Sequence, residues 1–154
     1  MLVWKPRVTV AVVAERQKRF LMVEETIGAA TRFNQPAGHL EDRESLVAAA
    51  VRECREETAW QFQPHSLVGI YRWHSRQKQD TFLRFTFCGT CNNEDKQQAL
   101  DTGIVAAHWL TLDEIRARED RLRSPMVLKS IEDYLDGKRY PLELLTDMDQ
   151  DPVS

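Results

Sequence analysis

The segment from Ser45 to Thr58, SLVAAAVRECREET, constrains the fold more than any other. It has no glycine or proline and is rich in strong helix formers. At about 100° per residue, Leu46, Val47, Ala50, Val51 and Cys54 fall on one stripe. Relative to Glu53, Glu57 sits about 40° to one side and Glu56 about 60° to the other, so the three acids share roughly a 100° arc beside that stripe. A helix apolar along one side must pack on a sheet or another helix. Acids that adjoin the stripe, instead of opposing it, face a neighbouring element. Like charges at this spacing cost a helix about 0.2–0.5 kcal/mol per pair. Two readings answer that cost: a solvated acidic face, the usual fate of glutamate-rich helices, or a bound cation.

The residues before the helix bear on that choice. In QPAGHLEDRE (residues 35–44), Gly38 is expected to let the backbone turn tightly and expose a carbonyl, and Glu41 and Glu44 add acids at the helix mouth. Carboxylates with a loop carbonyl suit a hard cation, for which Mg²⁺ is the natural choice, with Mn²⁺ as a substitute. Such an ion cancels the repulsion, screens a polyphosphate and polarises an oxygen under attack. Arg52, one turn before Glu56, can pair with it or with the preceding loop.

Around this helix the sequence predicts a mixed sheet. VTVAVVA (8–14) is β-branched and apolar, as in a buried strand, and FLMVEET (20–26) is its antiparallel partner across the turn ERQKR. Residues 27–40 read as loop with one short strand, because of Gly28, Pro36 and Gly38. Residues 65–74 and 81–90 follow as strands. In the second, Leu83, Phe85 and Phe87 alternate with Arg84 and Thr86, which predicts one buried and one mixed face. After the polar loop 92–103 comes a last strand, IVAAHWL (104–110). TLDE from Thr111 is a capping box, and Ser124-Pro125 supplies an N-cap and N1 proline for a helix that Gly137 stops. The fold class is α/β. One domain is expected over 1–145, with an acidic, disordered tail over 146–154.

Bulk properties exclude several functions. The chain has 154 residues, 42% of them hydrophobic and 29% charged, which suits one core without staples. A net charge of −3 lacks the basic stripe that nucleic-acid binding needs. No apolar run approaches the roughly 20 residues of a membrane span, and the N-terminal apolar stretch reads as a first strand and not a signal peptide. Three cysteines do not suggest a secreted disulfide framework, so a reduced cytoplasm is the expected location.

The stretch Gly38 to Trp60 resembles the box of the Nudix hydrolases, G-x5-E-x7-R-E-U-x-E-E-x-G-U with U aliphatic. Gly38, Glu44, Arg52, Glu53, Glu56 and Glu57 occupy its fixed positions, while Cys54, Ala59 and Trp60 depart from it. Outside the box, VEET, NQPAGHLE, FLRF, LRSP and YPLE resemble one bacterial phosphatase branch of the family. The resemblance implies an α/β/α sandwich around a mixed sheet and Mg²⁺-dependent hydrolysis of a small-molecule phosphoanhydride. It implies that Glu53, Glu56, Glu57 and the Gly38 carbonyl ligate metal, and that Arg52 and Glu44 hold the loop–helix geometry. The branch implies loss of the terminal phosphate from nucleoside tri- and diphosphates and from thiamin-type (hydroxymethylpyrimidine) pyrophosphates. The general base is Glu57 or Glu53, with Asp101 second. Nucleotide-sugar or dinucleotide pyrophosphatase activity is the alternative within the family. A non-catalytic nucleotide sensor is the alternative outside it, and the retained acids speak against that one. The expected enzyme is a monomer or dimer.

Of the remaining residues, His39, Arg84, Trp73 and Phe33 are candidates for substrate contact: His39 beside Gly38, Arg84 on the mixed strand face, and the two aromatics as platforms for a ring. Trp60 is a further stacking candidate, and Glu24 and Glu25 can border the site. Trp4 and Trp109 are expected to pack inside, and His65, His74 and His108 to be structural. Cys88-Gly-Thr-Cys91 ends a strand, unlike a redox motif opening a helix, and no second ligand pair for zinc is visible.

Overall fold

Buried on both faces, the run Val10–Ala14 belongs at the centre of a sheet. The computed structural model, which describes residues 1–149, places it there. Strand β1 (Arg7–Arg16) runs parallel to β6 (Asp80–Asn92), with Val8 opposite Leu83 and Val12 opposite Phe87. Among the described residues the other strand-to-strand pairings are antiparallel, with one isolated parallel bridge between Phe33 and Leu122, and the β1–β6 pair makes the sheet mixed. The order is β3-β2-β1-β6-β5-β8, with β4 added on β1 and β7 on β2. These strands are β2 (Arg19–Ile27), β3 (Ala30–Asn34), β4 (Ala37–His39), β5 (Gln61–Ser75), β7 (Ile104–Thr111) and β8 (Tyr140–Pro141).

Strand alternation sorts the core into two layers. Val12, Ala14, Leu21, Leu67 and Phe87 face helix α1 (Leu46–Thr58) and its buried Ala49, Ala50 and Cys54. Their neighbours Val13, Phe20, Met22, Val68 and Cys88 face the other way. They meet Ile115 of α2 (Leu112–Arg116) and Val127 and Ile131 of α3 (Pro125–Leu135). The result is the α/β/α sandwich. Helix ends follow the sequence: Ser45 caps α1 by accepting from Ala48 N at 3.0 Å, and Thr111 and Ser124 cap α2 and α3. Ala59 ends α1 in the left-handed region at φ 64°, a conformation glycine adopts without steric cost.

Several expectations are corrected. The region 27–40 contains two strands, not one. Gly28, at φ 61°, turns β2 into β3, and Pro36 separates β3 from β4. Strand β5 begins at Gln61, four residues before the predicted start, and accommodates Pro64 beside a bulge. On β6 the polar alternates are buried as well as Phe87, with Arg84 at 3% and Thr86 at 0% exposure. The sheet is covered on both sides, so that face is buried, not mixed. Trp4 does not pack inside; it is 70% exposed. Residues 150–154 of the expected acidic tail lie outside the described residues. No helix among the described residues is long and apolar enough to cross a membrane.

The pairing of β1 also opens the molecule. Its first half, Thr9–Ala11, pairs with β4, whereas Glu15 and Arg16 pair with β2. The two arms part on one edge of β1, and α1, α3 and the loop 93–103 approach the gap from different sides.

Candidate active site

The acids of α1 do not simply face solvent. Arg52 forms the hub of the group. It grips Glu44 with two hydrogen bonds, Nε to Oε2 at 2.6 Å and Nη2 to Oε1 at 2.9 Å, and donates to Glu53 at 2.8 Å and Glu56 at 3.2 Å. A further bond from Nη2 to the His39 carbonyl, 3.0 Å, ties the helix to β4. The planar guanidinium suits this fork. Its hydrogen bond holds the Glu44 carboxyl below the usual range, and the Glu44 and Glu53 carboxylates raise the pKa of Arg52. One cation thus offsets part of the repulsion among Glu44, Glu53 and Glu56.

Gly38 plays a different part from the one its sequence context suggests. It lies within β4 opposite Val10, not in a tight turn, and a methyl group there would overlap the Glu53 carboxylate. The missing Cβ leaves room for the Glu53 carboxylate to lie against the strand.

Glu53, Glu56 and Asp101 each direct a carboxylate oxygen to one place, with the three oxygens within 4.8 Å of one another. Asp101 arrives on the loop before β7, where its amide donates to the Glu56 carbonyl at 3.0 Å. Three carboxylates, one buried, one half-buried and one exposed, make an all-oxygen donor set that can hold a hard divalent cation. Glu57 stands outside this trio. It is 6% exposed and accepts from Ala37 N at 2.8 Å. Burial first, then repulsion from Glu25, Glu53 and Asp101, pushes its carboxyl up to about 9, against the pull of the Ala37 hydrogen bond. Burial likewise raises Glu53, although Arg52 opposes it.

Ala37, Gly38 and His39 also form one wall of a cavity of about 580 Å³ in the gap between the sheet arms. Arg84 and Trp73, two of the substrate-contact candidates, line it, and Trp73 stacks on Phe82 with centroids 5.9 Å apart and planes 25° off parallel. Phe33 does not line it. Alternation along β3 turns Arg32 and Asn34 toward the cavity and sends Phe33 into the core, beneath the guanidinium groups of Arg118 and Arg121. Trp60 is also elsewhere, edge-on to Trp109 at 5.4 Å with Arg16 over both rings. Burial and the nearby Arg7, Lys78 and Arg123 lower the pKa of His39.

The cavity gathers Arg32, Lys78, Arg84 and Arg123 against a single lining carboxylate, Glu25, which pairs with Arg123 at 2.8 Å. A chain of net charge −3 therefore holds a cationic pocket beside an acidic trio. Sequence reasoning did not single out Asn34, Phe82 and Arg123, although they stand in NQPAGHLE, FLRF and LRSP, and it reached Lys78 only through the basic run HSRQKQ (74–79), which can hold a phosphate. Glu24 borders nothing here and pairs with His108 at 2.8 Å. All three cysteines are free and buried. Cys88 and Cys91 point into opposite layers of the sheet, and Cys91 Sγ lies 3.8 Å from Cys54 Sγ instead.

Comparison with known proteins gives concordant results. Residues 4–129 match the family model for the NUDIX domain. The chain is 43% identical over 144 residues to the phosphatase NudJ of Escherichia coli strain K12, covering 94% of this chain and 93% of that protein. It matches the NudJ phosphatase of Shigella boydii serotype 4 to the same extent. Among solved structures, a NUDIX hydrolase from Nitrosomonas europaea superposes with a TM-score of 0.93 at 49% identity, over 96% of this chain and 100% of that one.

Proposed function

The chain belongs to the NUDIX family of hydrolases and acts on phosphoanhydride bonds, and from that footing we propose that it is a Mg²⁺-dependent phosphatase of nucleoside tri- and diphosphates and of thiamin-type pyrophosphates. The observation that carries this reading is the meeting of an oxygen-donor trio with a cation-lined cavity at one edge of β1. Phosphoryl transfer asks a protein mainly for positioning and charge neutralisation, and the two halves supply one each.

In this reading Glu53, Glu56 and Asp101 hold the cation, with Glu57 and the Gly38 carbonyl on the β4 side. The ion supplies charge neutralisation on the phosphates and a more acidic water. Arg52 and Glu44 fix the carboxylates. His39 and the cavity cations receive the phosphate chain, and Trp73, braced by Phe82, offers a face to the ring of the substrate. Glu57 or Glu53, with Asp101 as the alternative, would take the proton from water, Glu57 only where the bound cation displaces the proton it holds in the metal-free chain, and the pH–rate profiles of the matching amide variants separate them. The active unit is a single domain over 1–145, a cytoplasmic monomer or dimer that does not bind nucleic acid.

A second reading, hydrolysis of a nucleotide sugar or dinucleotide, draws on a groove of about 820 Å³ that continues past Trp73 and Arg123 along α3. Phosphate release with Mg²⁺ distinguishes the two, using nucleoside tri- and diphosphates, thiamin diphosphate, hydroxymethylpyrimidine diphosphate and a nucleotide sugar. Single phosphates released from the first four support the main reading. Turnover of the nucleotide sugar alone selects the second. Nucleotide binding without any turnover would mean a sensor and overturn both.

A further inference from the structure

Arg84 is the most deeply buried cation of the cavity wall. It stands on β6 between Thr9 of β1 and Tyr71 of β5. Removing a guanidinium from water costs several kcal/mol unless a counter-ion and hydrogen bonds replace the solvent. The protein replaces little of it. Nη2 donates to Asn34 Oδ1 at 2.9 Å, Nε has no partner, and among the described residues no carboxylate forms an ion pair with the group. The nearby acids are engaged elsewhere, Glu25 with Arg123 and Glu57 with the Ala37 amide. Burial lowers the Arg84 pKa to about 10, so the group is still charged at neutral pH.

Asn34 is the informative neighbour. Aspartate at this position would give Arg84 an internal counter-ion at the same distance. The amide instead orients the guanidinium and leaves it without a hydrogen-bonded counter-ion, Glu25 and Glu57 acting only from a distance. Arg123 and the N-terminal end of α3, through Ser124 and Met126, line the same cavity, so other positive groups surround the vacancy in charge.

We propose that Arg84, oriented by Asn34, receives a phosphoryl group of the substrate, and that the neutrality of Asn34 is what keeps this receptor open. The proposal deepens the hydrolase reading and rests on it for the identity of the substrate. Arg84 touches the phosphate, whereas Asn34 is a positioning residue acting through Arg84. The guanidinium offers its fork to two oxygens of one phosphoryl group, a geometry lysine cannot reproduce.

The test is calorimetric titration of the whole chain with inorganic pyrophosphate in chelator, so that no metal contributes, alongside thermal melts. Unmodified protein binds pyrophosphate. Asn34→Asp closes the receptor: the melting temperature rises while pyrophosphate affinity falls about tenfold or more, and KM for a nucleoside diphosphate with Mg²⁺ rises in step. Arg84→Lys, which keeps the charge and loses the fork, weakens binding in the same direction without the gain in melting temperature. A purely structural Arg84–Asn34 contact predicts the stability gain of Asn34→Asp with pyrophosphate affinity and KM unchanged, and that result overturns the proposal. Failure of the unmodified chain to bind pyrophosphate overturns it as well. Absence of turnover on every substrate would instead strike the hydrolase reading, and the metal-free titration would still decide the receptor.

Discussion

Glu57 shows how one side chain ties folding to the site. Its carboxyl is pushed up to about 9 by burial and by neighbouring acids, above the ordinary carboxylate value. The folded chain therefore holds a proton that the unfolded chain has released between about pH 5 and 9. Stability contributed in this way is present at the acid side and is lost as pH rises through 9. Between pH 7 and 9 the metal-free protein should lose stability by up to about 1.4 kcal/mol per pH unit from this group, read as a falling melting temperature, and Glu57→Gln should flatten the slope. A melting temperature that rises over that range would contradict the assignment. At Gly38 the prediction is steric. Gly38→Ala places a methyl group on the Glu53 carboxylate, the movable end of that side chain, so it should displace the carboxylate at little cost in stability and lower divalent-cation affinity about tenfold or more, as measured by cation titration. The acids, their spacing and the need for glycine are legible in the sequence because the helix period is regular. The reason for the glycine is not, since it depends on how closely a strand passes α1.

Each element rests on a few attachments that can be removed singly. Ser45→Ala deletes the side-chain cap of α1 and should destabilise the protein by about 1 kcal/mol, seen in denaturant melts. Helix α3 is fastened to β5 through Asp133, which accepts from Tyr71 at 2.7 Å and Lys129 at 2.8 Å and pairs with Lys138 at 3.1 Å. Asp133→Ala leaves the half-buried Tyr71 hydroxyl without its protein partner and should cost about 1 kcal/mol, again by denaturant melt. The helices and the central strands are readable in sequence from their caps and apolar runs. Strands β3 and β4 are not, because they are short, separated by Pro36, and defined by partners far along the chain. The start of β5 is hidden for a similar reason: Pro64 argues against a strand until the bulge beside it is known. Phe33 and Trp73 look alike as aromatic candidates, and only the register of β3 turns one inward and leaves the other on the cavity.

On the scale of the whole molecule, the sandwich brings opposite charges to two sides of one opening. Helix α1 and the loop before β7 bring carboxylates, while β3, β6 and the entry to α3 bring arginines. Half of this was legible. The box positions name the acidic side, whereas the cationic side is scattered from Arg32 to Arg123 and is gathered only by the mixed sheet. Arg84 is the clearest case, since alternation with Leu83 and Phe85 assigns it to the less apolar face of β6, and that face proves to be buried. We propose that the acids of α1 serve a cation on which hydrolysis depends. The most direct test is the initial rate of phosphate release from a nucleoside diphosphate as Mg²⁺ is raised from zero, for the unmodified chain and Glu56→Gln side by side. No turnover in chelator, a saturable rise with Mg²⁺ and a loss of about 10²-fold or more in the variant are expected. Turnover in chelator, or a variant indistinguishable from the unmodified chain, would contradict the proposal.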